Sequence, residues 1–542
     1  MDNFVVVSIM SLPMFVPVFD ATAKPPSGIL SGNGNQYGDF DECLGIDGAV
    51  RGKYCLASLQ VSIEGEKGML SLSSRFNSQI NDIYMGHRLP RYSSILWGVC
   101  IPSSCSSFDL EDELSHKLSD LGISVKVQNT MCTVKNFKRP YSFGKTMTIT
   151  FFLSIILLLS LGTMLDDGKE DGTNFEKLLN AFSLKRNLRK VFDLSDSPTR
   201  VKGVDAFRGI NAFALLLAHK SMAMAHSPYV NKTSYSEVFG MPWAVIGRSA
   251  IIYTDSFLYL SGFLNAHNLL QDLEKKGTIN FKDRLLASLM LFSTYILPDI
   301  NNGPQWNLVV GEHSRVCEKN MWKSFLFIHN YFGFEEMCLT HTHQIGMDMQ
   351  LYVATLPLMF VLWKFKRTGL ALIVGLRKHI FISSVQKLLD AARYSYILPT
   401  HRATIYLIGV SMAYFIKSKK SHIKLSDVSI YFWFQFHSWH RFSTYLSYIF
   451  YLTNKIWTFS GSGNAFVESR IFKFFNKIAY AVYLTQFPIF FYNVGIQRHS
   501  EYYTPMLLVS KLNNKLTSPF FIGKLVVIAS AIFLRHICYL FY

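Results

Sequence analysis

Two side chains in the stretch AFRGINAFALLLAHKSMAMA are equipped for chemistry: Arg208 and His219 lie inside an otherwise apolar run of membrane length. An ionisable group in such a run is there for function more often than for packing. Eleven residues separate the two, so at about 100° per residue they project within roughly 20° of each other, about 16 Å apart along the axis. Both line one stripe of one helix and can share one substrate channel. Arg208, near the cytoplasmic end, offers a planar fork of donors suited to a phosphate or pyrophosphate. His219, past the midplane, has an unperturbed pKa near neutrality and can take a proton from a hydroxyl acceptor as general base. The structural alternative is that Arg208 snorkels to headgroups and His219 bonds between helices. Spacing alone leaves both readings open.

Other polar residues in apolar surroundings extend the candidate site. Asp255, inside IIYTDSFLYLSGFL, must meet a partner such as Arg208 or His219 or else be protonated. Ser261, followed by Gly262, either lines a substrate path or lets two helices approach closely. Asp348 and Gln350 stand at the outer entrance of one expected span and Arg402 near the start of another. Taken singly, each of these three reads as a helix-end anchor; together they point to a polar cavity for donor or acceptor within a helical bundle.

The elements that must position these residues are membrane helices. The chain has 542 residues, 49% hydrophobic and 17% charged, which is too oily for an ordinary soluble enzyme. A net charge of +17 would suit nucleic acid, but the Lys and Arg cluster between apolar runs, as juxtamembrane residues do, and nucleic acid is excluded as a partner. Expected spans are Thr146–Leu165, Val204–Ala225, Trp243–His267, Leu285–Ile300, Met347–Trp363, Gly369–Ser384, Ala403–Ile416, Val428–Phe436, Tyr445–Ser460, Ile471–Tyr492 and Phe521–Tyr542, about eleven in all. Only helices or closed barrels satisfy their backbone in lipid, and long runs without strict alternation choose helices. The expected fold is mainly α, a multi-pass bundle. Placing the basic loops 185–202, 275–284, 364–367 and 417–424 in the cytoplasm puts the segment before the first span in the lumen or exterior.

That segment, from Lys24 to Tyr141, reads as a loop-rich soluble domain holding Cys43, Cys55, Cys100, Cys105 and Cys132. It follows an apolar run, Phe4 to Phe19, that ends near Ala21-Thr22-Ala23 and reads as a signal peptide lacking a basic start. Clustered cysteines behind such a segment indicate disulfides. Zinc at Cys100 and Cys105 is the other reading, and no neighbouring His or Cys completes a metal-ligand spacing. Five is odd, so either one thiol is free or its partner lies upstream. The sequon at Asn231 falls in an expected outer loop, as do Cys317 and Cys338, which can bond there. Both agree with the orientation set by charge.

These residues also carry a resemblance. PPSGILSGNGNQYGDFDECLGI, GKYCLASLQV and WGVCIPSSCSSFDL, followed by VDAFRGINAFALLLAHK, YTDSFLYLSGFL, GPQWNLVV, FEEMC, DMQLYVATLP, RATIYLIGVSMAYF and AYAVYLTQFPI, resemble the nose-resistant-to-fluoxetine family of invertebrate membrane proteins. Its members join a Cys-rich extracellular domain to a multi-pass domain of the acyltransferase 3 type. The resemblance divides the chain into residues 1–23, a signal peptide or shortened start; 24–141, the outer domain; 142–203, the first span and a basic linker; and 204–542, the acyltransferase-like domain. It implies acyl transfer from cytoplasmic acyl-CoA, as co-substrate rather than bound cofactor, to a lipid, glycan or other hydroxyl acceptor. His219 would be the base and Arg208 the donor-binding residue. Arg284 would contribute to donor or acceptor binding. A plasma-membrane or endomembrane location follows.

The sequence departs from the family pattern in three places. Relatives pair Arg284 with a second Arg where this chain has Ala287, carry His where it has Gln486, and have aromatic residues where it reads HTHQIG. Relatives also extend further at both ends. A noncatalytic carrier for lipids or small hydrophobes is therefore the rival expectation, with a receptor-like outer domain on a vestigial membrane part as a third. Protein partners are not legible from the sequence.

Overall fold

The fold comes from a computed structural model that describes residues 16–24, 28–48, 50–61, 94–136, 139–168, 173–195, 204–244, 250–275, 289–365, 368, 369, 372, 396–419 and 469–505. The described residues open with α1 (Val16–Ala21), β1 (Asn35–Gln36) and α2 (Phe40–Gly45), then β2 (Gly52–Val61), β3 (Ser94–Pro102), α3 (Ser107–Leu118), β4 (Ile123–Lys126) and β5 (Cys132–Val134). Strand β2 is the centre of a five-stranded sheet, antiparallel to β3, β4 and β5, with β1 parallel to β3 at the edge. Its alternation builds two cores. Tyr54 and Leu56 pack with Phe40, Cys43 and Cys100 on one face, while Cys55 and Ala57 pack with Val99, Ile101, Leu110 and Val127 on the other. A period of two is what a strand covered on both faces requires. Asp39 caps α2, and a Ser106–Asp109 capping box starts α3.

Two disulfides staple this unit: Cys43–Cys100 and Cys55–Cys132, the latter joining direct register partners. They close loops of 57 and 77 residues, worth about 4 kcal/mol each in the chain-entropy account. Among the described cysteines Cys105 is the free thiol. Commitment of Cys100 to Cys43 removes the zinc alternative. The segment expected to be loop-rich is built on an ordered sheet, and Ala21-Thr22-Ala23 packs against it. Ala21 and Ala23 are buried, Ala23 N donates to Gly98 O, and Trp97 Nε1 donates to Ala23 O.

The rest of the described chain is helical. It runs through α4 (Phe143–Met164), α5 (Asn174–Ala181), α6 (Leu184–Phe192), α7 (Val204–Met224), α8 (Lys232–Gly240), α9 (Ala250–Lys275), α10 (Glu312–Phe325), α11 (His343–Lys364), α12 (Pro399–Lys419) and α13 (Arg470–Gly495). Helices α4, α7, α9, α11, α12 and α13 coincide with six expected spans. Among the described residues two stretches are both long and apolar enough to cross a bilayer, Phe143–Met164 and Thr340–Lys364. Ionisable side chains such as Asp205, Arg208 and Lys220 interrupt the apolar character of α7. The expected spans at 369–384, 428–436, 445–460 and 521–542 fall essentially outside the described residues. The expected span at 285–300 is broken where it is described, by a π-helical turn at Phe292–Ile296 and a 3-10 turn at Leu297–Asp299 around Pro298.

The expected loop carrying Cys317 and Cys338 is also corrected. Cys317 lies on α10, and its disulfide to Cys338 pins that helix to the turns ahead of α11. Helices α9 and α12 meet backbone to backbone. A Cβ on Gly262 would fall 2.2 Å from Tyr406 O, and one on Gly409 would fall 2.2 Å from Tyr259 O. Small residues at facing positions allow this approach. Leu258, Phe263, Ala266, Tyr406, Val410 and Ala413 fill the seam around them.

Candidate functional site

The site begins with the pairing of α7 and α13. Arg208 donates from its guanidinium to Asn476 Oδ1 at 3.1 Å, and Asn476 Nδ2 donates to Asp205 Oδ1. Further along, the ring of His219 stands edge-on to Phe487, centroids 4.8 Å apart, and His226 meets Phe491. Arg208 and His219 are eleven residues apart, as are Asn476 and Phe487. The two helices therefore run parallel in constant register, and both candidate residues face the same neighbour. Gly209 lies against Phe472 and Phe475 within this seam.

His219 is 6% exposed, and its Nδ1 has no hydrogen-bond partner. Gln486 stands beside it, itself buried, its Nε2 donating to Tyr483 O and its amide within weak hydrogen-bonding reach of the His219 ring. On the other side of Phe487 the ring of His341 stacks flat, centroids 4.5 Å and planes 3° apart, and lies 6.5 Å from the ring of His219. Nε2 of His341 is 3.0 Å from Leu484 O. In an unbroken helix that carbonyl would accept from the N–H of residue 488, but Pro488 has none. His341 supplies the missing donor, which places the proton on its Nε2. Tyr483 adds a hydrogen bond from its hydroxyl to His341 O.

A second polar group adjoins the first. Arg402, 5% exposed, is ion-paired with Asp255, donates to Thr254 Oγ1 at 3.0 Å and lies over the Tyr396 ring at 4.7 Å. His343 packs on the other side, its ring 4.9 Å from Tyr396. His219, His329 and Arg402 all lie within electrostatic range of His343. Asp255 was expected to meet Arg208 or His219. Its partner is Arg402, because α12 packs against α9 through the glycine seam and delivers the guanidinium one turn from Pro399.

The other expected residues fall as follows. Asp348 on α11 accepts from Gln344 Nε2 at 3.4 Å and lies within electrostatic range of Tyr483. Gln350 donates to Asn330 Oδ1 at 2.9 Å and to Phe327 O, which makes it a brace for the turn before α11. Ser261 is half-buried on α9 next to the glycine contact. Arg284 lies outside the described residues. Asn231 is corrected: its amide is buried, Nδ2 donating to Tyr503 O at 3.0 Å and Oδ1 accepting from Tyr503 N at 2.7 Å. A glycan on that nitrogen is incompatible with this packing. Sequence reasoning did not place Asn476, Phe487, Tyr396 or His341. The last had a readable signal, a proline in YLTQFP that orphans a carbonyl.

Residues 12–114 match the family described as nose resistant-to-fluoxetine protein, N-terminal domain. The curated protein "Nose resistant to fluoxetine protein 6" of Caenorhabditis elegans is 22% identical over 493 residues, taking in 74% of this chain and 58% of the relative. The chain is thus similar to nose resistant-to-fluoxetine proteins, through the N-terminal domain match and through this relative over most of its length. Members of this family are membrane proteins, consistent with the two apolar helices. The chain spans 58% of the length of that relative. No solved structure matches it significantly.

Proposed function

We propose that this chain is a multi-pass membrane acyltransferase, moving an acyl group from acyl-CoA at the cytoplasmic face to a hydroxyl acceptor, with its disulfide-bonded domain on the lumenal or outer side. One observation carries the reading: Arg208 and His219 both face α13, one turned to the polar Asn476 and the other buried with an unmet ring nitrogen. Neither position is what a lipid-facing or merely snorkelling residue would take. His219 would draw the proton from the acceptor hydroxyl. The alcohol oxygen would then attack the thioester carbonyl, forming the ester bond as the carbon–sulfur bond breaks. The thiolate leaves with the proton that His219 returns. Arg208, about 16 Å along the helix, would hold phosphates of the donor while the thioester reaches His219. Asp255, Arg402, Asp348 and Gln350 would hold the helices around the acceptor in place.

The test is acyl-CoA-dependent formation of an acylated lipid or glycan by membranes containing the full chain. Activity is expected to fall at least a hundredfold in His219→Ala with expression and localisation unchanged, and the Michaelis constant for acyl-CoA is expected to rise in Arg208→Gln. The rival reading, a carrier for lipids or small hydrophobes, draws on Gln486 standing beside His219 where the family resemblance places a His. Transport that survives His219→Ala, without any acylated product, would establish the carrier and overturn the enzyme.

A further inference from the structure

The segment SLKRNLRK was expected to be a polar loop; it is instead the start of α6, and the surface of that helix is divided into three stripes. Asn187 and Val191 are buried and face the protein. Leu184, Leu188 and Phe192 follow one another at four-residue steps and are 36%, 37% and 63% exposed. At about 100° per residue they form a stripe adjoining the buried face. Lys185 and Arg189 lie next to that stripe, with Lys190 beyond, and all three are exposed. Buried face, apolar shoulder and basic face is the arrangement of a helix lying in a membrane interface.

The position of α6 agrees. Helix α4 has 22 residues, about 33 Å, enough to cross the hydrocarbon once, and much of its side is open, with Leu153, Ile156, Leu157 and Met164 exposed. Helix α6 is bolted to the end of α4. Leu184 N donates to Thr163 Oγ1 at 2.9 Å, Ser183 Oγ to Asp166 Oδ2 at 2.6 Å, and Arg186 Nε to Asp166 Oδ1 at 2.7 Å. At its other end Lys477 of α13 donates to the carbonyls of Lys190 and Asp193, and Phe192 stacks on Phe474. The helix is therefore held at the depth where α4 leaves the hydrocarbon, its apolar stripe continuous with a lipid-facing side and its cations at headgroup level.

We infer that α6 is an interfacial helix that seats Leu184, Leu188 and Phe192 among the acyl chains and binds anionic phospholipid headgroups through Lys185, Arg189 and Lys190. In the proposed topology this is the cytoplasmic leaflet. The inference needs the membrane placement of α4 and no acyl-transfer chemistry. The partner is lipid rather than protein because the cations adjoin the apolar stripe at the end of an apolar, membrane-length helix.

The test uses the full chain in nanodiscs of phosphatidylcholine with or without phosphatidylserine, bearing a fluorescent unnatural residue at position 188. Quenching by lipids spin-labelled near the headgroup, with protection from aqueous iodide, is expected. Affinity for phosphatidylserine, read by native mass spectrometry, is expected to fall about fivefold per neutralised charge in Lys185→Gln, Arg189→Gln and Lys190→Gln. The charge-preserving Lys185→Arg/Lys190→Arg protein should keep it, and that pair of variants remains informative should a neutralised protein fail to fold. Quenching by iodide alone, protection from both quenchers as a covering protein segment would give, or phosphatidylserine affinity indifferent to the three charges would each overturn the inference.

Discussion

Removing Arg402 alone should destabilise the bundle more than removing Arg402 and Asp255 together. The guanidinium is 6% exposed at its side chain and the carboxylate 26%, so Arg402→Leu leaves a largely buried charge without its ion partner. Breaking such a pair costs about 3–5 kcal/mol. The residual opening at Asp255 favours the lower end, about 3 kcal/mol, to which loss of the contact with the Tyr396 ring adds about 1 kcal/mol. Replacing both partners by leucine removes the desolvation penalty along with the attraction, and the double variant should fall within about 1–2 kcal/mol of the parent. Thermal unfolding of the detergent-solubilised protein measures this. At about 2 °C per kcal/mol for a large domain, the single variant should melt about 6–8 °C below the parent and the double variant should recover most of that. If the double variant melts as low as Arg402→Leu, the pair is not the brace between α9 and α12, and the glycine seam holds those helices unaided.

Three further outcomes are expected. His341→Phe should keep the stack on Phe487 but leave Leu484 O without a donor, costing about 1–3 kcal/mol; Pro488→Ala, which restores an N–H to the helix, should cancel that loss in a double-mutant cycle of unfolding free energies. Cys43→Ser or Cys55→Ser should each cost about 4 kcal/mol, whereas Cys105→Ser should leave thermal stability unchanged. Burial raises the Asp166 carboxyl, but hydrogen bonds from Ser183, Arg186 and Gly168 more than offset this and hold it below the usual carboxylate range. Its contribution is thus present above the unfolded-state value near 4 and lost as pH falls through the lowered folded value. Hydrogen exchange in α6 should rise across that acidic window in the parent and show no such step in Asp166→Asn.

What was legible in the sequence followed the length scale of each signal. Six helices were readable because an apolar run of about 20 residues has few alternative fates. The sheet was not, since β2 is covered on both faces and its residues GKYCLASLQV give no polar–apolar alternation to reveal a strand. The stripe shared by Arg208 and His219 follows from helical period alone. Its neighbour does not: Asn476 lies 268 residues from Arg208, and nothing local declares which helix fills that groove. The pairing of Asp255 with Arg402 was missed for the same reason, since two glycines choose the neighbour and the ion pair follows. Asn231 shows the opposite failure. A three-residue pattern was read where burial against Tyr503, from a distant segment, decides the chemistry.

The polar interior separates into groups that brace and groups left unfinished. Asp255 with Arg402, and Asp205 with Asn476 and Arg208, bind helices remote in sequence to one another. The unfinished groups include Nδ1 of His219, Nε2 of His343 and the amide oxygen of Gln344, which are buried without protein hydrogen bonds. Each such atom costs about 1–3 kcal/mol unless water or a ligand meets it. A bundle needing these residues only for packing would be more stable with apolar side chains in their place. On the proposed function, a hydroxyl acceptor would meet such atoms, whereas a hydrocarbon cargo would leave them unmet.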